Sequence, residues 1–252
     1  MIYGDLFRPR IDIDIAVRDA EMPAAEKALV EMGYTPPAEE KDSPLPEYLN
    51  SRFFTPPSEG LVAIHLHRHI VNNIFRSVDG ALRMEMEKAW EETETFKGYR
   101  NIRVLKPEMN IVYMCDHALK HDYSQPAYLD EIKELITHYG KALDWGKLAE
   151  LTRESCMERS VYYSLYFAKK LLSADVPGEV LTKLEPAKLT VWERRFVKDV
   201  LNNRQRPHSS FGVYLSDRKG FLKKAVFLSR AVFPPGFTLK GHLARIRRSV
   251  LA

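Results

Sequence analysis

An alternating segment near the start of the chain, residues 11–17, constrains the fold more strongly than any other part of the sequence. Every second residue of this segment is apolar: Ile11, Ile13, Ile15 and Val17. This period of two predicts a β-strand that buries one face. Asp12 and Asp14 then share the opposite face, with their backbones about 6.5–7 Å apart, so both carboxylates can converge on one cation.

The pair formed by Asp12 and Asp14 has two interpretations. The two carboxylates can hold Mg²⁺, which proteins typically bind through one or two carboxylates together with water and substrate phosphates. They can also be the solvated face of an ordinary strand. Because Asp is unfavourable in strands, the sequence favours the metal interpretation.

A second alternating segment, residues 61–67, predicts another strand. Its polar face includes His65 and His67, and His69 continues the run of histidines at every second position. These histidines can bind a transition metal together with the aspartates of the first strand, or they can be hydrogen-bonded structural groups. The sequence favours the structural role.

The periodicity predicts an α+β fold, in which a domain with a small mixed β-sheet precedes a helical bundle. Strands are expected near residues 11–17, 61–67 and 101–105, with a helix over 22–32, a short strand at 52–54 and a helical segment over 80–95. From Pro107 onward the apolar period becomes helical. We therefore divide the chain into domains 1–105 and 106–203 and a C-terminal segment 204–252.

Two histidines lie one helical turn apart in the first helix of the predicted bundle. His117 and His121 can bind a metal together with Asp130. A structural or substrate-lining role is the alternative, and the sequence favours it.

Three more helices are predicted in the bundle. The first begins near Leu129, the second begins after Asp144, and the third covers residues 161–168. Pro177 is expected to end the third helix. Asp144 suits an N-cap because its side chain can accept a hydrogen bond from the first turn.

Length and composition exclude several classes of protein. At 252 residues the chain is long enough for one or two domains with a hydrophobic core. No run approaches 18 apolar residues and no basic-then-apolar leader opens the sequence, so we expect no transmembrane segment and a cytoplasmic location. Cys115 and Cys156 lie in no C-x-x-C motif, which disfavours a disulfide framework and a structural zinc site.

The charge is unevenly distributed along the chain. Residues 204–252 contain 11 Lys and Arg against one Asp, a net charge of +10, whereas residues 1–203 contain 27 against 33, a net charge of −6. A basic segment of this kind can attract an anionic partner, such as a phosphate-rich molecule or an anionic membrane surface. It can equally pack on the acidic body of its own chain.

Several short motifs occur together in an order typical of one family. They are Arg8-x-x-x-Asp12-Ile13-Asp14, Gly33-Tyr34, Ile64-x-Leu66-His67, Leu105-x-Pro107-Glu108, His117-x-x-x-His121, Leu129-Asp130 and Asp144-Trp145. Together they resemble the uncharacterised nucleotidyltransferase family of bacterial genomes, which belongs to the polymerase-β-like nucleotidyltransferase superfamily. The resemblance covers residues 3–170.

The resemblance implies a reaction and a site. In the superfamily an Asp-x-Asp pair binds the metal, so the resemblance gives Asp12 and Asp14 the catalytic and metal-binding roles, with Mg²⁺ or Mn²⁺ as cofactor. The implied reaction moves a nucleoside monophosphate from an NTP to an unidentified acceptor hydroxyl. Arg8 matches the arginine ahead of the pair, and contact with a nucleotide phosphate is one role for it. The other candidate substrate-binding residues are His65, His67, His117 and His121.

Two departures from the superfamily pattern favour an alternative function. A Lys-Gly or Gly-Ser element that helps to hold the triphosphate normally precedes the aspartates, and we expect it to be missing, because the chain begins only eleven residues before Asp12. The third carboxylate of the superfamily falls at His65, and imidazole is a poor ligand for Mg²⁺. The alternative is a catalytically inactive binding or scaffold protein that retains the fold.

The basic C-terminal segment gives the first testable prediction. Its apolar residues recur at helical spacing, at Phe221, Leu222, Ala225, Val226 and Leu228, which favours packing on the protein over recruitment of a partner. Truncation after Asn203 is therefore expected to lower the melting temperature in a thermal denaturation experiment. Added salt is expected to change this stability little, because screening beyond about 8 Å weakens mainly exposed charge interactions. An unchanged melting temperature with lost, salt-sensitive binding to anionic liposomes or nucleic acid would contradict the packing hypothesis.

Overall fold

The computed structural model describes residues 12–37, 51–70, 85–204, 209–216 and 220–232. The chain divides into two compact units. The sheet unit contains the described residues up to 70 together with 226–232, and the helical unit contains those from 85 to 225. In these described ranges, no helix has both the length and the apolar character needed to cross a membrane.

A three-stranded mixed sheet forms the centre of the sheet unit, which confirms the predicted mixed character. Its elements are β1 (Asp12–Ala16), α1 (Met22–Glu31), β2 (Ser51–Phe54) and β3 (Ala63–His67). The strand order is β1-β3-β2, in which β1 runs parallel to β3 and β2 runs antiparallel to it. The helix α1 has Pro23 in its first turn, where a missing N–H costs nothing, and Gly33 beyond its end has a φ of +88°.

One face of this sheet and the helix α1 share a small apolar core. Its buried members are Met22, Leu29, Phe54, Ile64 and Leu66. The apolar residues of β1 are less well covered, since Ile13 is 45% and Ile15 is 38% exposed. Because β1 lies at one end of the described strand order, the expected burial of its apolar face is only partly realised.

The strand predicted near residues 101–105 does not join this sheet, which corrects that prediction. The strand β5 (Arg103–Leu105) pairs antiparallel with β4 (Thr93–Thr95) in a separate two-stranded sheet. The helical segment expected over 80–95 is accordingly shorter: α2 (Met86–Glu91) ends before β4, and residues 80–84 lie outside the described ranges. Two β-branched threonines in β4 favour the strand.

The remainder of the helical unit is helical, as the change of period at Pro107 predicts. Its helices are α3 (Pro107–Lys120), α4 (Pro126–Tyr139), α5 (Trp145–Glu154), α6 (Glu158–Leu172), α7 (Gly178–Leu184), α8 (Val191–Leu201), α9 (Phe211–Ser216) and the first part of α10 (Phe221–Val232). The helix α3 contacts α4, α5 and α6, and α4 also contacts α6. These four helices are the centre of the predicted bundle.

The ends of two helices test the capping predictions. Asp144 caps α5 as expected, because its Oδ1 accepts a hydrogen bond from the backbone N–H of Lys147 at 2.9 Å. Pro177 does not end α6, which corrects a second prediction. Instead, α6 ends at Leu172, the next residue, Ser173, adopts a φ of +56°, and Pro177 directly precedes α7.

The helix α10 confirms that part of the basic segment is helical, but its exposed face differs from expectation. Phe221 is 87% and Leu222 is 75% exposed, and Val226 and Leu228 are also exposed. Phe227, which the spacing argument left out, is buried. The choice of packing face from spacing alone was therefore wrong within the described part of the segment.

A buried carboxylate ties α6 to α8 in the helical unit. Glu193 is fully buried, and its Oε1 accepts hydrogen bonds from Arg159 Nε at 2.7 Å and from the Tyr163 hydroxyl at 2.9 Å. Its Oε2 accepts from the backbone N–H and the hydroxyl of Thr190, both at 2.8 Å. Burial by itself raises the pKa of Glu193, but these four donors outweigh burial and hold the pKa below its ordinary value of 4.5.

Replacement of this carboxylate tests its contribution to stability. We expect Glu193→Gln to lower the free energy of unfolding at pH 7 by about 2–3 kcal/mol, because it removes charge-assisted hydrogen bonds in a buried position. A carboxylate whose pKa is lower in the folded state stabilises the folded protein at pH values above the unfolded-state pKa. This contribution to the free energy of unfolding is lost as the pH falls through the folded-state pKa. The wild type should therefore lose more stability below pH 4.5 than the variant does.

Urea unfolding followed by tryptophan fluorescence at several pH values measures both effects. Glu179→Gln, at an exposed glutamate of α7, is the matched control and should change stability by less than about 0.5 kcal/mol. Equal effects of the two substitutions would contradict the assignment.

Candidate metal centre

The parallel pairing of β1 with β3 brings acidic and imidazole side chains onto one face of the sheet. Asp14 lies directly opposite His65, while Asp12 and His67 are each two residues away along their own strands. Side chains two residues apart share a face of a sheet. All four side chains therefore project from the face opposite the apolar core.

Asp14 lies at the centre of this group. Its Oδ1 is 2.8 Å from Nε2 of His67 and 3.3 Å from Nδ1 of His65. Asp12 is more distant, with its Oδ2 4.0 Å from Nδ1 of His65. Among the described residues, Asp14, His65 and His67 form the one group of three metal-binding residue types whose ligand atoms all lie within 4.8 Å of one another.

A serine holds the far side of the His65 ring. The Oγ of Ser51 is 2.8 Å from His65 Nε2, so the two ring nitrogens face Ser51 and Asp14. An ionised carboxylate can only accept hydrogen bonds. A neutral His65 that donates its Nδ1–H to Asp14 must therefore accept a hydrogen bond at Nε2 from the Ser51 hydroxyl.

The group is open on its acidic side and covered on its imidazole side. The side chains of Asp12 and Asp14 are 38% and 39% exposed, whereas that of His67 is 10% exposed. The rings of Phe53 and His65 pack in an edge-to-face arrangement, with 5.9 Å between ring centroids. A cation bound to the carboxylates would therefore be accessible to water or phosphate oxygens, while the protein holds the imidazole rings in place.

The two histidines of the bundle lie elsewhere, in the helical unit. His117 is on α3 and His121 directly follows this helix. Tyr128 of α4 packs against both rings, with centroid distances of 5.5 Å to His117 and 5.1 Å to His121. Neither histidine shares a metal-binding group with Asp130 within the described residues. The structure thus brings together four of the candidate site residues, and Arg8 lies outside the described ranges.

Sequence reasoning did not identify Ser51 as part of this site. Ser51 reaches His65 only because β2 runs antiparallel to β3, which places Phe53 opposite His65 and Ser51 opposite the next residue on that face. The available signal was the alternation of Ser51 with Phe53, which puts both on the face opposite Phe54. A serine at a strand end is common, so this signal alone does not indicate a site.

A comparison with protein families identifies the family to which the chain belongs. The model of the uncharacterised nucleotidyltransferase family matches residues 2–173, a span that includes the whole Asp and His group. The chain belongs to this family. Neither the search of curated proteins nor the search of solved structures finds a match.

Adjacent phenylalanines of β2 test which face of the sheet is buried and which holds the site. Phe54 is fully buried in the apolar core, whereas Phe53 is 40% exposed beside His65. We expect Phe54→Ala to destabilise the sheet unit by about 3–5 kcal/mol, because it leaves a cavity. Phe53→Ala, the matched control, should cost less than about 1 kcal/mol. Hydrogen exchange of the β3 amides measures the difference, and similar protection in both variants would contradict the assignment of faces.

Proposed function

We propose that this protein is a metal-dependent nucleotidyltransferase that moves a nucleoside monophosphate from an NTP to an acceptor hydroxyl. Membership of the nucleotidyltransferase family supports the class of reaction. The observation on which the proposal rests is that Asp12 and Asp14 project from one strand, side by side and partly exposed, next to His65. Two carboxylates so placed suit a divalent cation that also binds phosphate oxygens.

The candidate residues divide between the cation and the nucleotide. Asp12 and Asp14 would hold the cation, which supplies charge neutralisation at the phosphates when bound. His65 and His67 lie beside the carboxylates, where they can contact the cation or the triphosphate. Arg8 is proposed to contact a nucleotide phosphate, and His117 and His121 remain proposed substrate-binding residues.

The proposed reaction needs little covalent chemistry from the protein. The acceptor oxygen attacks the α-phosphorus, the bond from this phosphorus to the bridging oxygen breaks, and pyrophosphate leaves. The proton of the acceptor hydroxyl passes to a base or to water. Positioning of the two reactants and neutralisation of phosphate charge are then the main contributions of the site.

One observation favours a second candidate function, that of an inactive binding or scaffold protein. Asp14 Oδ1 lies within hydrogen-bond distance of both His65 and His67, so the two imidazoles can satisfy the carboxylate by donating to it. In a site of this kind the aspartates are held by the fold and need no cation. His65 in place of a third carboxylate also favours this candidate.

Incubation with labelled NTPs separates the two functions. With Mg²⁺ or Mn²⁺ present, the active enzyme should transfer label from the α-phosphate to an acceptor hydroxyl, here water, added small alcohols and sugars, or protein. Asp12→Asn and Asp14→Asn should each reduce transfer at least about 100-fold, because a catalytic metal supplies several kcal/mol of charge stabilisation.

Asp175→Asn, at an exposed aspartate of the helical unit, is the matched control and should retain activity. Equal labelling by all three variants would show that the aspartates do not act in transfer. No labelling above background by the wild type with any of these acceptors, despite NTP binding, would favour the inactive binding protein.

A further inference from the structure

We propose that Asp14, His65 and His67 bind a first-row transition-metal dication that favours imidazole, such as Co²⁺ or Zn²⁺, in preference to Mg²⁺. The three ligand atoms are Asp14 Oδ1, His65 Nδ1 and His67 Nε2. The inference deepens the proposed function, on which it rests for the role of the cation in transfer. It names the kind of cation that the site selects.

The spacing of the ligand atoms fits a single ion. Metal-to-ligand bonds to imidazole nitrogen and carboxylate oxygen are about 2.0–2.2 Å long, so two ligands at right angles are about 3.0 Å apart. Asp14 Oδ1 lies 2.8 Å from one imidazole nitrogen and 3.3 Å from the other. An ion at ordinary bond lengths can therefore lie between Asp14 Oδ1 and each imidazole nitrogen, and the three ligand atoms all lie within 4.8 Å of one another.

The chemistry of the ligands selects against Mg²⁺. Magnesium is a hard cation that binds oxygen in a near-octahedral arrangement and gives up water reluctantly. Imidazole suits zinc, copper, iron and nickel, and two imidazoles with one carboxylate form a set typical of transition metals. Asp12 fits either class, since its Oδ2 lies 4.0 Å from His65 Nδ1 and can approach an ion from the open side.

Ser51 positions the His65 ring for this role. A ring nitrogen that binds a metal uses its lone pair, so the proton must be on the other nitrogen and needs a hydrogen-bond acceptor. Ser51 Oγ, 2.8 Å from His65 Nε2, can be that acceptor, because a hydroxyl accepts as well as donates. Hydrogen-bond partners of metal-binding side chains typically raise metal affinity by roughly 10–100-fold.

Metal binding by the full chain tests the inference independently of transfer. Dissociation constants for Co²⁺ are measured by the visible absorption of bound Co²⁺, and those for Mg²⁺ by competition. The quantities compared are the ratio of the two constants and the change of this ratio in variants of the ligands. We expect the wild type to prefer Co²⁺ by at least about tenfold.

Variants of the two histidines identify the ligands. His65→Asp, which replaces imidazole with an oxygen ligand of the kind that Mg²⁺ prefers, should lower the preference for Co²⁺ over Mg²⁺ by about tenfold or more. His67→Ala should weaken Co²⁺ binding by a similar factor, and Ser51→Ala should weaken it while leaving all three ligands present. His138→Ala, at an exposed histidine of α4, is the control and should change neither constant.

A spectroscopic measurement keeps the test valid if a variant fails to fold. Nitrogen NMR of the wild type, first stripped with chelator and then loaded with Zn²⁺, should show the His65 proton on Nδ1 before loading and on Nε2 after it. Equal Co²⁺ and Mg²⁺ affinity in the wild type, or constants that do not respond to His65 and His67, would overturn the inference. Selective binding without NTP transfer would support the inference and refute the proposed function. Transfer that Mg²⁺ supports and that His65→Asp does not affect would support the proposed function and overturn the inference.

Discussion

The parallel pairing of β1 with β3 is the interaction on which the candidate centre depends. It fixes the register at which Asp14 faces His65, and a slip of one residue would turn both aspartates toward the apolar core. The core itself opposes that slip, because Ile64 and Leu66 alternate with the histidines and are buried against α1. The hydrophobic pattern that stabilises the sheet thus also sets the positions of the polar atoms.

Local periodicity was sufficient to predict most of the elements. The alternation in β1 and β3, the helix α1 after its proline, and the N-cap at Asp144 are all determined by neighbours in sequence, and the structure confirms each of them. Local periodicity does not predict with which other strand a given strand pairs. Residues 103–105 pair with 93–95 because these segments are close in sequence across a short turn, and nothing in the periodicity of β5 distinguishes that partner from β3.

Local sequence patterns likewise predict only part of the candidate site. The two aspartates and the two histidines stand out in sequence because polar residues on an alternating strand require an explanation. Ser51 could not be found in this way, since its contact with His65 depends on the antiparallel register of β2. The buried face of α10 was also predicted wrongly, because helical spacing identifies apolar residues that share a face but does not show which face is covered. Phe227 is buried, whereas Phe221 and Leu222 are exposed.

The contact between Ser51 and His65 allows two hydrogen-bonding states of one imidazole ring. The hydroxyl can donate to Nε2 or accept from it, so the same positions of the heavy atoms serve both tautomers of the ring. In the centre proposed above, a cation would replace the protons that both His65 and His67 direct at Asp14, and the Ser51 hydroxyl would rotate to accept from Nε2 of His65. The His65 side chain would therefore be preorganised, because its ring keeps the same hydrogen-bond partner before and after loading.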